Sequence, residues 1–290
     1  MQRVALNHNK WPDGQGAEYM TSASTDIAGT VDTINQQSMR GAVSEYSALV
    51  HEGLSRQEQA SLDSVAEFVR GKRVLDLGVG AGRTVEPLLS ISRDYVGVDY
   101  VQEMVDHCRG QHPNVRFERA DARSLSMFAD ESFDLIFFSC NGICMVDHPG
   151  RLAILGEVKR LLSPQGVFIF STCNRYSDAY ESAFTFPTFE TARNPLRLAV
   201  RTSRFALHTL YRAMNRLRHY KHEVHEQHYA IRNDIYHHYG TMLYFIDSAS
   251  QVQQLRSAGF AEDVRVFDLA GQRADPNCRD RTLGFVARKT

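Results

Sequence analysis

The chain has no run of eighteen apolar residues among its 290, so no stretch of it suits a helix crossing the ~30 Å core of a bilayer. Residues Met1 to Gly16 are polar and lack the apolar centre of a secretory signal. Cysteine is scarce: Cys108, Cys140, Cys144, Cys173 and Cys278 are odd in number, scattered, and form no Cys-x-x-Cys pair. That argues against a disulfide scaffold or a zinc site, and for reduced thiols in a cytoplasmic protein. Charge of one sign is not in excess either. With 33 Lys and Arg against 34 Asp and Glu, the formal net charge is -1, and no global field selects a nucleic acid or a membrane. No internal repeat of fixed period occurs, which excludes solenoids and propellers. What remains is ordinary globular material, 43% hydrophobic and 23% charged, long enough for one large domain or two small ones.

Residues 1 to about 40 are rich in Gly, Asp, Ser, Thr, Asn and Gln and read as a mobile arm. Residues 1–54 are expected to form an N-terminal arm or cap, and 55–290 the main domain. Ser55-Arg56-Gln57-Glu58 has the form of a capping box, in which each side chain satisfies an orphan amide of the first turn. Leu62, Val65, Ala66 and Val69 follow at helical spacing, and Gly71 ends the helix. Short apolar strands then alternate with helices. The strands are expected at Val74–Leu77, Tyr95–Val98, Val115–Ala120, Phe133–Phe138 and Val167–Ser171. The helices are expected up to Ile91, over Gln102–Cys108 and over Pro149–Leu162. Strands apolar on both faces, separated by helices, imply a parallel sheet covered on both sides. The end of the chain reads as helix Ser250–Ala258, strand Asp263–Phe267 and strand Thr282–Ala287. Two strands in succession imply an antiparallel pair at one edge.

In such a sheet ligands bind beyond the carboxyl ends of the strands. The segment Val74-Leu75-Asp76-Leu77-Gly78-Val79-Gly80-Ala81-Gly82 ends the first strand in a glycine turn, where a ligand can approach the backbone at a helix start. Dinucleotide enzymes also use such a turn, so Asp76 is the discriminating residue. A carboxylate there repels a pyrophosphate and attracts an ammonium group. Asp99 ends the second strand and can accept hydrogen bonds from both hydroxyls of a ribose, and Asp121 ends the third and can accept one from an adenine amino group. Three successive strands thus deliver one carboxylate each to the same edge.

From about Ser55 onward this pattern resembles the class I S-adenosylmethionine (SAM) dependent methyltransferases. The resemblance implies an α/β fold: a Rossmann-like, doubly wound, mostly parallel seven-stranded sheet with an antiparallel edge hairpin. It implies SAM as cofactor, with Asp76, Gly78, Gly80 and Gly82 around the methionine part. Asp99 then holds the ribose, with Tyr100 and Met104 near the adenine, and Asp121 and Ala122 contact the adenine as well. Ser139, Cys140 and Asn141 line the methyl-transfer face, and Tyr46 is placed on the SAM carboxylate. Gln254-Leu255-Arg256-Ser257-Ala258-Gly259-Phe260 resembles the family's late helix. Val79 departs from the pattern, since many members carry a small or polar residue there.

Residues 174–249 are expected to be a lid insertion over the substrate. Between Thr191 and His222 there are eight Lys or Arg and no Asp or Glu. Arg197, Arg201, Arg204, His208 and Arg212 recur at helical steps, and Leu207, Leu210, Met214 and Leu217 form an apolar stripe. A docked helix with a solvated face, a contact to an anionic substrate or RNA, and a membrane surface are the three readings of this segment. His219, His222, His225 and His228 follow three apart, but Gln227–Ile231 suits a strand, on which such residues alternate between faces and cannot converge on a metal. No metal site is expected. His237 is favoured as a general base, with His238, Tyr239 and His148 as further candidates, because histidine titrates near neutrality.

SAM chemistry needs chiefly a nucleophile aimed at the methyl carbon. The fourth strand ends in Ser139-Cys140-Asn141-Gly142 and lacks the Asn/Asp-Pro-Pro-Tyr/Phe motif of many base-amino methyltransferases. The expected function is methyl transfer to an oxygen or nitrogen of a small molecule, such as a specialised metabolite. The alternatives are an RNA or protein methyltransferase working through the basic helix 193–221, and a SAM-binding protein without catalysis.

Overall fold

A computed structural model describes residues 22–39, 43–181, 184, 186, 189, 191 and 194–290. The chain enters through α1 (Ser22–Met39) and α2 (Val43–Leu49), then α3 (Arg56–Asp63) and α4 (Ala66–Val69). The core units follow: β1 (Val74–Leu77), α5 (Val85–Ile91), β2 (Tyr95–Asp99), α6 (Gln102–Gln111), β3 (Arg116–Arg119), β4 (Phe133–Phe138), α7 (His148–Leu161) and β5 (Leu162–Asn174). The 174–249 segment contributes α8 (Asp178–Glu181), α9 (Pro195–His219), β6 (Val224–His225), β7 (Tyr229–Asp234) and β8 (Thr241–Ile246). The chain closes with α10 (Ser248–Ser257), β9 (Arg265–Phe267) and β10 (Thr282–Arg288).

The expected strands and helices form with ends shifted by a few residues. The capping box at Ser55 is present: the Glu58 amide donates to Ser55 Oγ at 3.2 Å, and the Ser55 amide donates to Glu58 Oε2 at 2.8 Å. The single helix expected there is broken at Ser64–Val65 into α3 and α4. The sheet runs β3-β2-β1-β4-β5, continues from β5 into antiparallel β10 and then β9, and so contains the expected seven strands. Three more strands, β8, β7 and β6, extend it from the last two residues of β5, Cys173 and Asn174. The ten-stranded sheet is thus the expected one plus an added flap.

Strand alternation sorts the core onto two faces. Leu75, Val98, Ile136 and Phe168 pack with Ile154, Leu155 and Val158 of α7. Val74, Leu135, Phe137 and Ile169 pack with Leu62, Val85, Leu88 and Val105 of α3, α5 and α6. Both faces are buried, which is why these strands read as unbroken apolar runs.

The expectation of a mobile arm over residues 1 to about 40 needs correction where the chain is described; residues 1–21 lie outside the described residues. Residues 22–39 are helix α1, with Val31, Ile34 and Met39 buried. Asn35, also buried, ties α1 down: its Nδ2 donates to Met145 O at 2.7 Å and Met242 O at 2.9 Å, and its Oδ1 accepts from Met242 N at 2.8 Å. One amide closing three main-chain contacts, one to the β4–α7 connection and two to β8, holds a helix whose sequence has little intrinsic apolar drive.

Candidate active site

Strand order reverses between β1 and β4, and a crevice opens there at the carboxyl ends of the strands. Each expected strand end supplies part of its wall. The β1 turn contributes Gly78 and Gly80, β2 contributes Asp99 and Tyr100, and α6 contributes Met104. The β3 end contributes Asp121 and Ala122, and the β4 end contributes Ser139 and Cys140. Tyr46 reaches the wall from α2. Three of the residues expected to bind the cofactor do not line it: Asp76, Gly82 and Asn141.

Gly78 shows why the turn is glycine-rich. Its φ is +64°, and a Cβ there would sit 2.8 Å from the Phe138 ring. Gly80, at φ +55°, turns its amide to Asp99 Oδ2 at 2.9 Å, while the Val101 amide donates to Asp99 Oδ1 at 2.9 Å. Asp99 is almost fully buried, and burial raises its pKa against the opposing pull of these amides. The two amides fix the carboxylate at the cavity wall, where its remaining lone pairs can take two hydroxyls.

Asp76 sits behind the turn, for a reason of register. It shares the strand face of Val74, the face that α5 and α6 cover. Thr84 Oγ1 and Tyr95 Oη donate to its Oδ2 at 2.5 and 2.8 Å. Desolvation pushes its pKa up to about 7. Oδ1 has no hydrogen-bond partner, the one buried carboxylate oxygen so left among the described residues. Fully buried and off the crevice wall, the carboxyl instead ties the start of α5 to β2 through Thr84 and Tyr95 and so braces the glycine turn from behind.

Asp121 is held by its neighbour. Arg123 donates to Asp121 Oδ1 and Oδ2 at 3.0, 3.1 and 2.6 Å and also grips Asp32 of α1. This Asp32–Arg123–Asp121 link fastens α1 across the crevice, and Asp32, Asn35, Gln36 and Met39 of α1 complete the wall. Sequence reasoning misses these residues. Their signal, Val31 and Ile34 three apart with Met39 beyond, is faint within a polar segment.

Arg83, also unforeseen, follows the glycine turn. It pairs with the capping glutamate, Glu58, at 2.8 and 2.7 Å, and donates to Cys140 Sγ at 3.0 Å. The same glutamate therefore starts α3 and anchors the β1 turn to the end of β4.

None of the four candidate bases lines the cavity wall; His237 touches Tyr46, which does. His237, His238 and Tyr239 form a turn with φ of +47°, +56° and +62°, a left-handed stretch costing about 1–2 kcal/mol per residue. Two buried asparagines offset this. Asn215 Nδ2 donates to His238 O at 3.0 Å, and Asn233 Nδ2 donates to Tyr239 O at 2.8 Å and Thr241 O at 2.9 Å. The turn sets His237 Nε2 3.4 Å from Tyr46 Oη, with the rings stacked at 6.0 Å. His238 instead meets His208 and Tyr211 of α9, and Tyr239 is buried against Phe184. His148 lies elsewhere. Its Nδ1 is 2.7 Å from Tyr244 Oη, its ring stacks on Tyr229 at 4.3 Å, and burial with the nearby Arg151 charge lowers its pKa to about 4.

Among the described residues no group of three His, Cys, Asp or Glu could hold a metal, and no helix is long and apolar enough to cross a membrane.

Residues 74–166 match the model of a family described as a methyltransferase domain. The chain is similar to the demethylmenaquinone methyltransferase of Renibacterium salmoninarum, 29% identical over 65% of this chain and 65% of that protein. It is also similar to the ubiquinone biosynthesis O-methyltransferase of Methylococcus capsulatus, 29% identical over 38% of this chain and 47% of that protein. The match spans less than two thirds of either relative's own length. Among solved structures, a SAM-dependent methyltransferase of Thermotoga maritima, a possible histamine N-methyltransferase, shares the fold. Its TM-score is 0.53 at 19% identity, covering 88% of this chain and 99% of that one.

Proposed function

We propose that the chain, whose residues 74–166 match a methyltransferase-domain family, is a SAM-dependent methyltransferase that binds SAM in the crevice between β1 and β4 and transfers the methyl group to an oxygen or nitrogen of a small molecule. The observation that carries this reading is Asp99, fixed by two backbone amides at the wall of a crevice floored by Gly78 and Gly80. Asp99 accepts the ribose hydroxyls, Met104 and Tyr100 flank the adenine, and Ala122 and Asp121 stand at its edge. Asp76, buried behind the turn, braces it through Thr84, so that Gly78 and Gly80 face the methionine part. SAM supplies an electrophilic methyl group, and the chain's task is to aim a nucleophile and accept its proton. His237, held against Tyr46 at the crevice, is the base. The small-molecule reading is supported by relatives whose names concern quinone methylation, and by α1, which roofs the crevice and leaves it suited to a compact acceptor.

The test is calorimetric titration with S-adenosylhomocysteine, with NAD as control, followed by turnover of SAM with a panel of phenols and amines. Micromolar binding of the first ligand alone, with turnover on at least one acceptor, is the expected result. Failure to bind S-adenosylhomocysteine would sink the proposal.

A further inference from the structure

Helix α9 is amphipathic in the wrong sense for a helix that packs on a protein core. Its apolar residues recur on one face: Leu196, Val200, Leu207, Leu210, Met214 and Leu217. That face is turned away from the molecule. Leu196 is 75% exposed, Leu207 65% and Leu217 70%. The helix docks instead through its polar side. Asn215 is its one buried residue and binds the 237–239 turn, and Arg216 pairs with Glu223. A solvated apolar stripe of this length is unfavourable unless something covers it.

The charge pattern says what covers it. Arg204 and Arg218, both exposed, border the stripe along one edge, with Arg197 beyond them, and small residues such as Ala199 and Ala206 border the other. No acid lies between Thr191 and His222. A second copy of α9 laid on the first would oppose arginines to arginines with no carboxylate to pair them. An RNA would satisfy the arginines and leave the leucines in water. An anionic bilayer satisfies both, taking the apolar face at the acyl boundary and the guanidinium groups among the headgroups.

We propose that α9 is a membrane-surface helix that seats the protein on anionic lipid by its Leu196–Leu217 face. The opposite side of the helix packs on the 237–239 turn, so docking places that turn about one helix diameter, ~10 Å, from the lipid.

The test uses the full chain with Trp11→Phe and Leu210→Trp, so that the new indole reports on the stripe. The expected result is sedimentation with phosphatidylcholine vesicles containing phosphatidylglycerol, with a blue shift of emission. Binding to phosphatidylcholine alone should be weaker by about tenfold or more, and high salt should weaken anionic binding similarly. Adding Leu207→Glu together with Leu217→Glu should abolish vesicle binding while the circular dichroism stays unchanged, because both positions are exposed. Equal vesicle binding by that variant would overturn the proposal. So would absence of vesicle binding together with a dimer, seen by light scattering, that the same variant dissociates. Retention of an RNA with no vesicle binding would overturn it as well.

Discussion

Replacing Asp99 by alanine tests the centre of the proposed site. Its carboxylate holds two backbone amides, at 2.9 Å each, and is assigned two ribose hydroxyls. A hydrogen bond to a charged group contributes about 1.5–3 kcal/mol. Losing both hydroxyl bonds therefore removes about 3–6 kcal/mol, or roughly two to four orders of magnitude in affinity for S-adenosylhomocysteine. The substitution also strands the amides of Gly80 and Val101, which costs stability and loosens the turn that Gly80 belongs to. Asp99→Asn separates the two effects. Its amide oxygen still accepts one backbone N–H, so the fold is better preserved, while one acceptor toward the ribose is lost. Calorimetry at 25 °C gives the affinities, and a denaturant melt of each variant reports the fold. An affinity within threefold of the parent in a folded Asp99→Ala protein would refute the ribose assignment.

Asp76 makes a prediction about pH. Its pKa is raised by burial to about 7 from the usual value near 4, so the folded protein holds a proton that the unfolded chain has released. Stability must then fall as pH rises from about 4 to about 7 and level off above, by roughly 4 kcal/mol from this group. Asp76→Asn should remove that fall, seen as the difference between the two pH profiles of denaturant stability; parallel profiles would refute it. Arg123→Ala cuts the Asp32–Arg123–Asp121 link, and hydrogen exchange in residues 29–39 should speed about tenfold while the sheet is unaffected; unchanged exchange would mean that Asn35 alone holds α1. His237→Ala should lower turnover by about 10²- to 10⁴-fold with S-adenosylhomocysteine affinity nearly unchanged, and near-normal turnover would remove His237 as the base.

The parallel core is legible in the residues. Strands buried on both faces must be apolar throughout, and a turn that places backbone against a ligand must be glycine, so β1 to β5 and the strand-end acids Asp99 and Asp121 can be located from local pattern alone. The capping box at Ser55 is likewise a contact between residues three apart. What local pattern does not carry is which way a side chain faces and what lies across from it. Asp76 is at the expected strand end, yet its register turns it behind the glycine turn to Thr84 and Tyr95. His148 follows β4 as expected, yet Tyr229 and Tyr244, distant in sequence, enclose it. Helix α1 is held by Asn35 to main-chain atoms more than a hundred residues away, so its own composition resembles a loose arm. The periodicity of α9 shows two faces, and only the tertiary structure decides that the polar face meets the protein and the apolar one meets its surroundings. A helix carries its own stripe in its sequence, but the direction of that stripe is set by the surface it lands on.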